Sequence, residues 1–233
     1  SGDKKYKDIL WDPSKYINVV LYNFSDELVL GIAQFPWLPE PFEMEGISQV
    51  KKGANLNENP YPQCVSINNK YIYDIPKGAN DYSMSDVVGT LSHELGHFLG
   101  LYHAFNQLLN GNTNSNEDSD YCTDTPPYNK YLYDVKLTNY LTYYGDITKT
   151  TSDGYKELVM RTHSKTGEKF RSTNIMDYAI SDANAFTAEQ AARVKYILHH
   201  AVFVPGPKDY TGTDFTTTRH NTSDFRFTPQ FIE

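Results

Sequence analysis

The 233 residues carry 29 acidic against 21 basic side chains, a formal charge of −8. That balance, with Lys and Arg scattered, argues against sequence-independent nucleic-acid binding, which needs a basic surface. Hydrophobic residues at 39% fit a globular protein of one compact domain or two lobes around a cleft, and no apolar run approaches the roughly 18 residues of a membrane span.

In chain order, residues 16–24 (YINVVLYNF) are rich in β-branched and aromatic side chains and read as a strand. Residues 28–35 read as a second strand, stopped by Pro36. The Pro-, Gly- and Asn-rich stretch 37–62 reads as a long loop. Residues 63–68 and 70–74 are shorter strand candidates around Asn68-Asn69. Residues 83–101 place Met84, Val87, Val88, Leu91, Leu95, Phe98 and Leu99 at helical spacing, with Ser83 as the expected N-cap and Gly100 as the expected stop. Residues 110–124 are polar and acidic, hence a loop. Residues 126–172 give only weak strand signals. Thr187 and Gln190 form a capping-box pattern that opens a helix to about residue 200. The tail from 205 has no periodicity.

The two cysteines, Cys64 and Cys122, allow one internal disulfide or two free thiols, and their spacing does not suit a cysteine metal site. The start shows no signal peptide, and Ser1-Gly2 reads as a processed or trimmed end.

The stretch 93–103 fits H-E-x-x-H-x-x-G-x-x-H at every defined position. Four residues along a helix turn a side chain by about 40°, so His93 and His97 share a face and can grip one ion. The apolar stripe around Leu91 and Leu95 lies roughly opposite and can enter a core. His103 would point away on a continuing helix; a break at Gly100 can return it as a third ligand. Three neutral imidazoles leave a fourth zinc position open to water, as in catalytic sites. Glu94, next to the first ligand, is the candidate general base. The alternative is a helix with ordinary histidines, but five fixed residue types at this spacing arise by chance with a probability on the order of 10⁻⁵.

These eleven residues resemble the extended zinc motif of the metzincin metallopeptidases. Residues 174–178 (NIMDY) resemble the Met-turn of that clan, whose methionine, here Met176, forms a floor beneath the metal. Five further segments resemble the pappalysin family. They are W-D-P-x-x-Y-I-N-V (11–19), L-G-I-A-Q-F-P (30–36), L-Y-H-A-F (101–105), D-T-P-P (124–127) and F-T-x-x-Q-x-x-R (186–193). The resemblance implies an α+β, metzincin-like fold: a twisted mixed sheet with an active-site helix above a cleft, and a mostly irregular or helical lower subdomain. The upper subdomain would be residues 1–103 and the lower 104–233, with the Met-turn and a C-terminal helix. It implies a secreted zinc endopeptidase, extracellular or periplasmic, present here as a mature monomer acting on protein or peptide. A catalytically inactive zinc-binding module of the same fold is the alternative. Tyr178 matches a Met-turn tyrosine that lies near the zinc in relatives and can help stabilise the oxyanion; plain packing is the alternative. Relatives also bind calcium near residues 112–124, which makes Asp118, Asp120 and Asp124 candidate Ca²⁺ ligands among the hard oxygen donors there; a solvated acidic loop is the alternative. The disulfides common in relatives cannot all form with two cysteines. His163, His199, His200 and His220 have no ligand spacing, and sequons stand at Asn23 and Asn221.

Overall fold

The Val- and aromatic-rich segment near residue 20 forms a strand, β1 (Asn18–Tyr22), in a computed structural model that describes residues 9–51, 62–106 and 113–208. His220, the Asn221 sequon and most of the tail lie outside the described residues. The next strands are β2 (Gly31–Ala33), β3 (Leu38–Pro39), β4 (Gln49–Val50) and β5 (Cys64–Asn68). Strand order is β1-β5-β2, with β5 parallel to β1 and antiparallel to β2. The sheet is thus mixed. Central β5 is buried at all five positions, polar Ser66 and Asn68 included, as in a strand covered on both faces.

The two expected N-terminal strands are shorter than their propensity suggested, because β2 finds only three partners, from Ile67 to Val65. Within the expected loop 37–62, β3 and β4 pair in parallel, and residues 52–61 lie outside the described residues. Residues 70–74 are not a strand. Asn69–Tyr71 is a 3-10 turn, and the Asn68 side chain accepts the Lys70 N–H at 3.1 Å. A short amide side chain that captures nearby backbone favours a turn over a ladder.

The long amphipathic segment becomes α1 (Val87–Phe98), capped by Asp86 rather than Ser83. Asp86 accepts the Val88 N–H at 3.1 Å. Ser83 and Ser85 instead donate their hydroxyls to the Asp74 carboxylate and fasten the approach to the helix. α1 lies across β2 and β5. Phe98 joins Val65, Ile67, Leu38 and Ile47 in the largest core, which is completed by Ile197, Ala201 and Val204 from the C-terminal end of the chain.

The stretch read as weakly strand-like carries two helices, α2 (Lys130–Tyr144) and α3 (Asp153–Leu158), before a short hairpin of β6 (Met160–Thr162) and β7 (Lys169–Arg171). Asn129 and Ser152 cap the helices through N–H groups three residues on. A second core of Ile147, Tyr155, Leu158, Val159 and Ile180 packs beneath Leu137, Tyr140 and Leu141 of α2. α4 (Ala188–His200) starts at the capping box read from Thr187 and Gln190, with both reciprocal bonds present. The architecture is α+β. Among the described residues no helix is long and apolar enough to cross a membrane.

Candidate metal centre

α1 presents His93 and His97 one turn apart. Behind them the helix ends sharply. Leu101 donates its N–H to Gly96 O and Gly100 to His97 O, both at 2.9 Å, while Gly100 takes φ +87°. That left-handed residue turns the chain back, as glycine permits at a helix end. The reversal returns His103. Its Nε2 and that of His93 each lie 3.1 Å from His97 Nε2.

Two backbone carbonyls fix the rings. His93 Nδ1 donates to Ile175 O at 2.8 Å and His97 Nδ1 to Leu101 O at 2.7 Å. A carbonyl only accepts, so the ring proton of each sits on Nδ1 and the Nε2 lone pair faces inward. Lone pairs facing one another at this distance repel unless a cation lies between them. Ligand nitrogens about 2.0–2.1 Å from a tetrahedral zinc stand about 3.3 Å apart, so the donor set fits that ion. Among the described residues, these histidines are the group of three or more His, Cys, Asp or Glu side chains gathered closely enough to hold a metal. Burial holds His93 below the usual histidine range and lowers His97 to about 3, with the neighbouring His93 adding to the effect.

Glu94 is buried on α1 beside the first histidine, and burial alone pushes its carboxyl up to about 8. Gly31 of β2 makes room for it; a Cβ there would lie 2.5 Å from Glu94 Cγ. Met176 is fully buried with Leu101 and Ala104. A Cβ at Gly96 would stand 2.3 Å from its Sδ, so the methionine lies directly under the ligand helix. Ala104 N–H donates to Met176 O at 3.0 Å, and the residue before Met176 supplies the carbonyl that holds His93. Tyr178 packs its ring edge-on to His103, with centroids 4.7 Å apart, and lies 5.6 Å from the His93 ring.

The three aspartates of the acidic loop are not gathered in this way. Asp120 accepts from Cys122 N–H and the Thr125 hydroxyl, and burial raises it to about 7. Asp118 accepts the Asp120 N–H at 3.3 Å, and Asp124 accepts the Glu189 N–H at 3.0 Å at the start of α4. Asn114 and Asn116 both accept from the Asn129 amide. His163 takes N–H groups from its own hairpin turn, and His200 stacks on Phe42. Cys64 and Cys122 are free and buried; burial pushes their thiols up to about 11 and about 12, which leaves them poor nucleophiles. The carbonyls of Ile175 and Leu101 carry no side-chain signal in the sequence. The space at Gly31 shows there only as a glycine.

Over residues 1–199 the chain matches the family described as pregnancy-associated plasma protein-A. It is 32% identical over 111 residues to an extracellular metalloprotease of Arthroderma gypseum, a match covering 47% of this chain and 30% of that protein. It is 28% identical over 131 residues to pappalysin-1 of Mus musculus, covering 52% of this chain and 6% of that one. The chain therefore spans less than a third of the length of these curated relatives. Among solved structures, it is similar to mature mirolysin of Tannerella forsythia in complex with a cleaved peptide, at 22% identity and a TM-score of 0.44, covering 80% of this chain and 53% of that one. With the family match running over the sheet, the ligand helix, the Met176 turn and α4, this chain belongs to the pregnancy-associated plasma protein-A family of metallopeptidases, the pappalysins.

Proposed function

We propose that this chain is a secreted zinc-dependent endopeptidase that hydrolyses peptide bonds of a protein or peptide substrate as a monomer. The observation that carries the proposal is the convergence of three imidazole Nε2 atoms beside a buried carboxylate on the same helix.

His93, His97 and His103 would hold the ion. Zinc bound there supplies a Lewis acid and lowers the pKa of a coordinated water toward about 7. Glu94 takes the proton of the attacking water and passes it to the leaving amine. Tyr178 donates its phenolic hydrogen to the oxygen that gains charge as the carbonyl is attacked. Met176 closes the floor under the ligand helix. Two lobes, residues 1–103 and 104–233, would face one another across the centre, with the end of α4 in the second completing the core of the first. A relative named as extracellular supports secretion, to the extracellular space or the periplasm. Calcium at Asp118, Asp120 and Asp124 would require these carboxylates to turn from their present partners; calorimetry with Ca²⁺ decides it, and absence of heat removes that site.

The test is mass-spectrometric profiling of a peptide library with the zinc-loaded chain. Cleavage that disappears in Glu94→Ala is expected. A folded, zinc-loaded wild type that cuts nothing would leave the inactive zinc-binding module.

A further inference from the structure

Arg161, in β6, belongs to none of the motifs above, and its side chain is fully buried. Its guanidinium reaches three carbonyls: Nη1 donates to Leu158 O at 2.8 Å, and Nη2 donates to Ile180 O at 3.0 Å and Tyr178 O at 3.1 Å. Nη2 also lies 3.1 Å from Asp177 Oδ2, whose side chain is 3% exposed. The guanidinium stacks 3.6 Å from the centre of the Tyr133 ring in α2. Asp177 is held from two further sides by the hydroxyls of Tyr128 and Ser172, and it accepts the Tyr178 N–H at 2.7 Å.

A buried ion pair is a poor source of stability, because apolar replacements of equal volume often do as well. What this pair does is geometric. The N–H of Tyr178 is held by Asp177 and its C=O by Arg161, so both backbone polar groups of that residue are fixed. The same turn supplies the Ile175 carbonyl that orients His93. Side chains that act on a reacting centre need such support to stay within fractions of an ångström.

We propose that Arg161 is a positioning residue that acts through Asp177 and the Tyr178 carbonyl to set the Tyr178 phenol against the metal centre. This rests on Tyr178 as the oxyanion donor proposed above. Arg161→Lys keeps the charge and loses the fork that spans the carbonyls. The first test is hydrogen–deuterium exchange of the metal-free chain, which needs no activity. In Arg161→Lys the amides of residues 177–180 should exchange roughly tenfold faster or more, while those of α1 stay unchanged, as expected of a local opening. No change there, or an equal rise throughout the chain, would overturn the proposal.

The second test is kinetic, with the zinc-loaded chain and a quenched fluorescent peptide drawn from the library. Arg161→Lys should lower kcat by roughly 10- to 100-fold and leave KM within about twofold. Placed on Tyr178→Phe, the same change should cost nothing further, since its effect runs through the phenol. Equal losses in both backgrounds would show a merely structural role. If Arg161→Lys does not fold, Tyr128→Phe, which removes one hydroxyl from Asp177, carries both tests with the same pattern at smaller amplitude. A wild type without peptidase activity would sink the proposed function, and the exchange measurement would still decide the role of Arg161.

Discussion

Glu94 has no cation or hydrogen-bond donor beside its carboxylate among the described residues, and burial raises its pKa from 4.5 to about 8. Between those values the metal-free fold keeps a proton that the unfolded chain has released, so folding stability falls as pH rises through that window. Glu94→Gln removes this penalty. The metal-free variant should melt several degrees above wild type at pH 8 and close to it below pH 4.5. Equal Tm values at pH 8 would contradict a carboxyl buried without a partner. A dication nearby offsets the cost of burial and favours the ionised carboxylate that a base requires. In the zinc-loaded chain Glu94→Ala should therefore lose roughly 10²-fold or more of turnover while metal analysis still finds one zinc per chain. Gly96 adds a steric prediction. Ala there would push on Met176 Sδ, and zinc affinity in a competitive chelator titration should fall.

α1 does its work at its end. Gly100 adopts φ +87°, and a Cβ there would also stand 2.9 Å from Ile197 Cγ1. Gly100→Ala should destabilise the fold by about 1–2 kcal/mol from the left-handed backbone alone, read from denaturant melts, with zinc affinity falling as His103 is displaced. Wild-type stability and affinity together would refute the role given to the bend. The gathering of the three rings was legible in the sequence because histidine, glutamate and glycine at fixed spacing dictate both the candidate ligands and the turn that brings them together. α4 was equally legible, since Thr187 and Gln190 are a local device that needs no tertiary partner. α2 was not. Its Tyr, Val and Thr residues favour strands, and only Tyr133, Leu137, Tyr140 and Leu141 mark an inner face. The caps at Asn129 and Gly145, φ +78°, were the better signal. Ser83 and Asp86 are both good caps, and the choice fell to a distant residue, Asp74, which takes the serine hydroxyls. Arg161 could not be placed from sequence at all, because a charged residue is expected outside until Asp177 and three carbonyls are seen around it.

Across the whole molecule, the candidate metal centre lies where α1, the Met176 turn and the returning segment at His103 meet, so an ion bound there would couple these parts. The unfolded chain lacks the gathered donor set, so zinc that binds the fold stabilises it, by about 2.7 kcal/mol at a hundredfold excess over Kd. Chelation at neutral pH should lower Tm, and added zinc should restore it. Acid acts in the same direction. His97 is depressed to about 3 in the fold but protonates near 6.5 when unfolded, so its contribution is present above 6.5 and is lost as pH falls toward 3. Zinc affinity of the fold should weaken as pH falls toward these lowered values, where protons compete for the imidazoles, and a pH-independent affinity would contradict imidazole ligation. The most direct test of the whole account is anomalous diffraction at the zinc edge from crystals of the zinc-loaded chain. One peak is predicted about 2.0–2.1 Å from the Nε2 atoms of His93, His97 and His103 together. A peak elsewhere, or one touching fewer than all three rings, would contradict it.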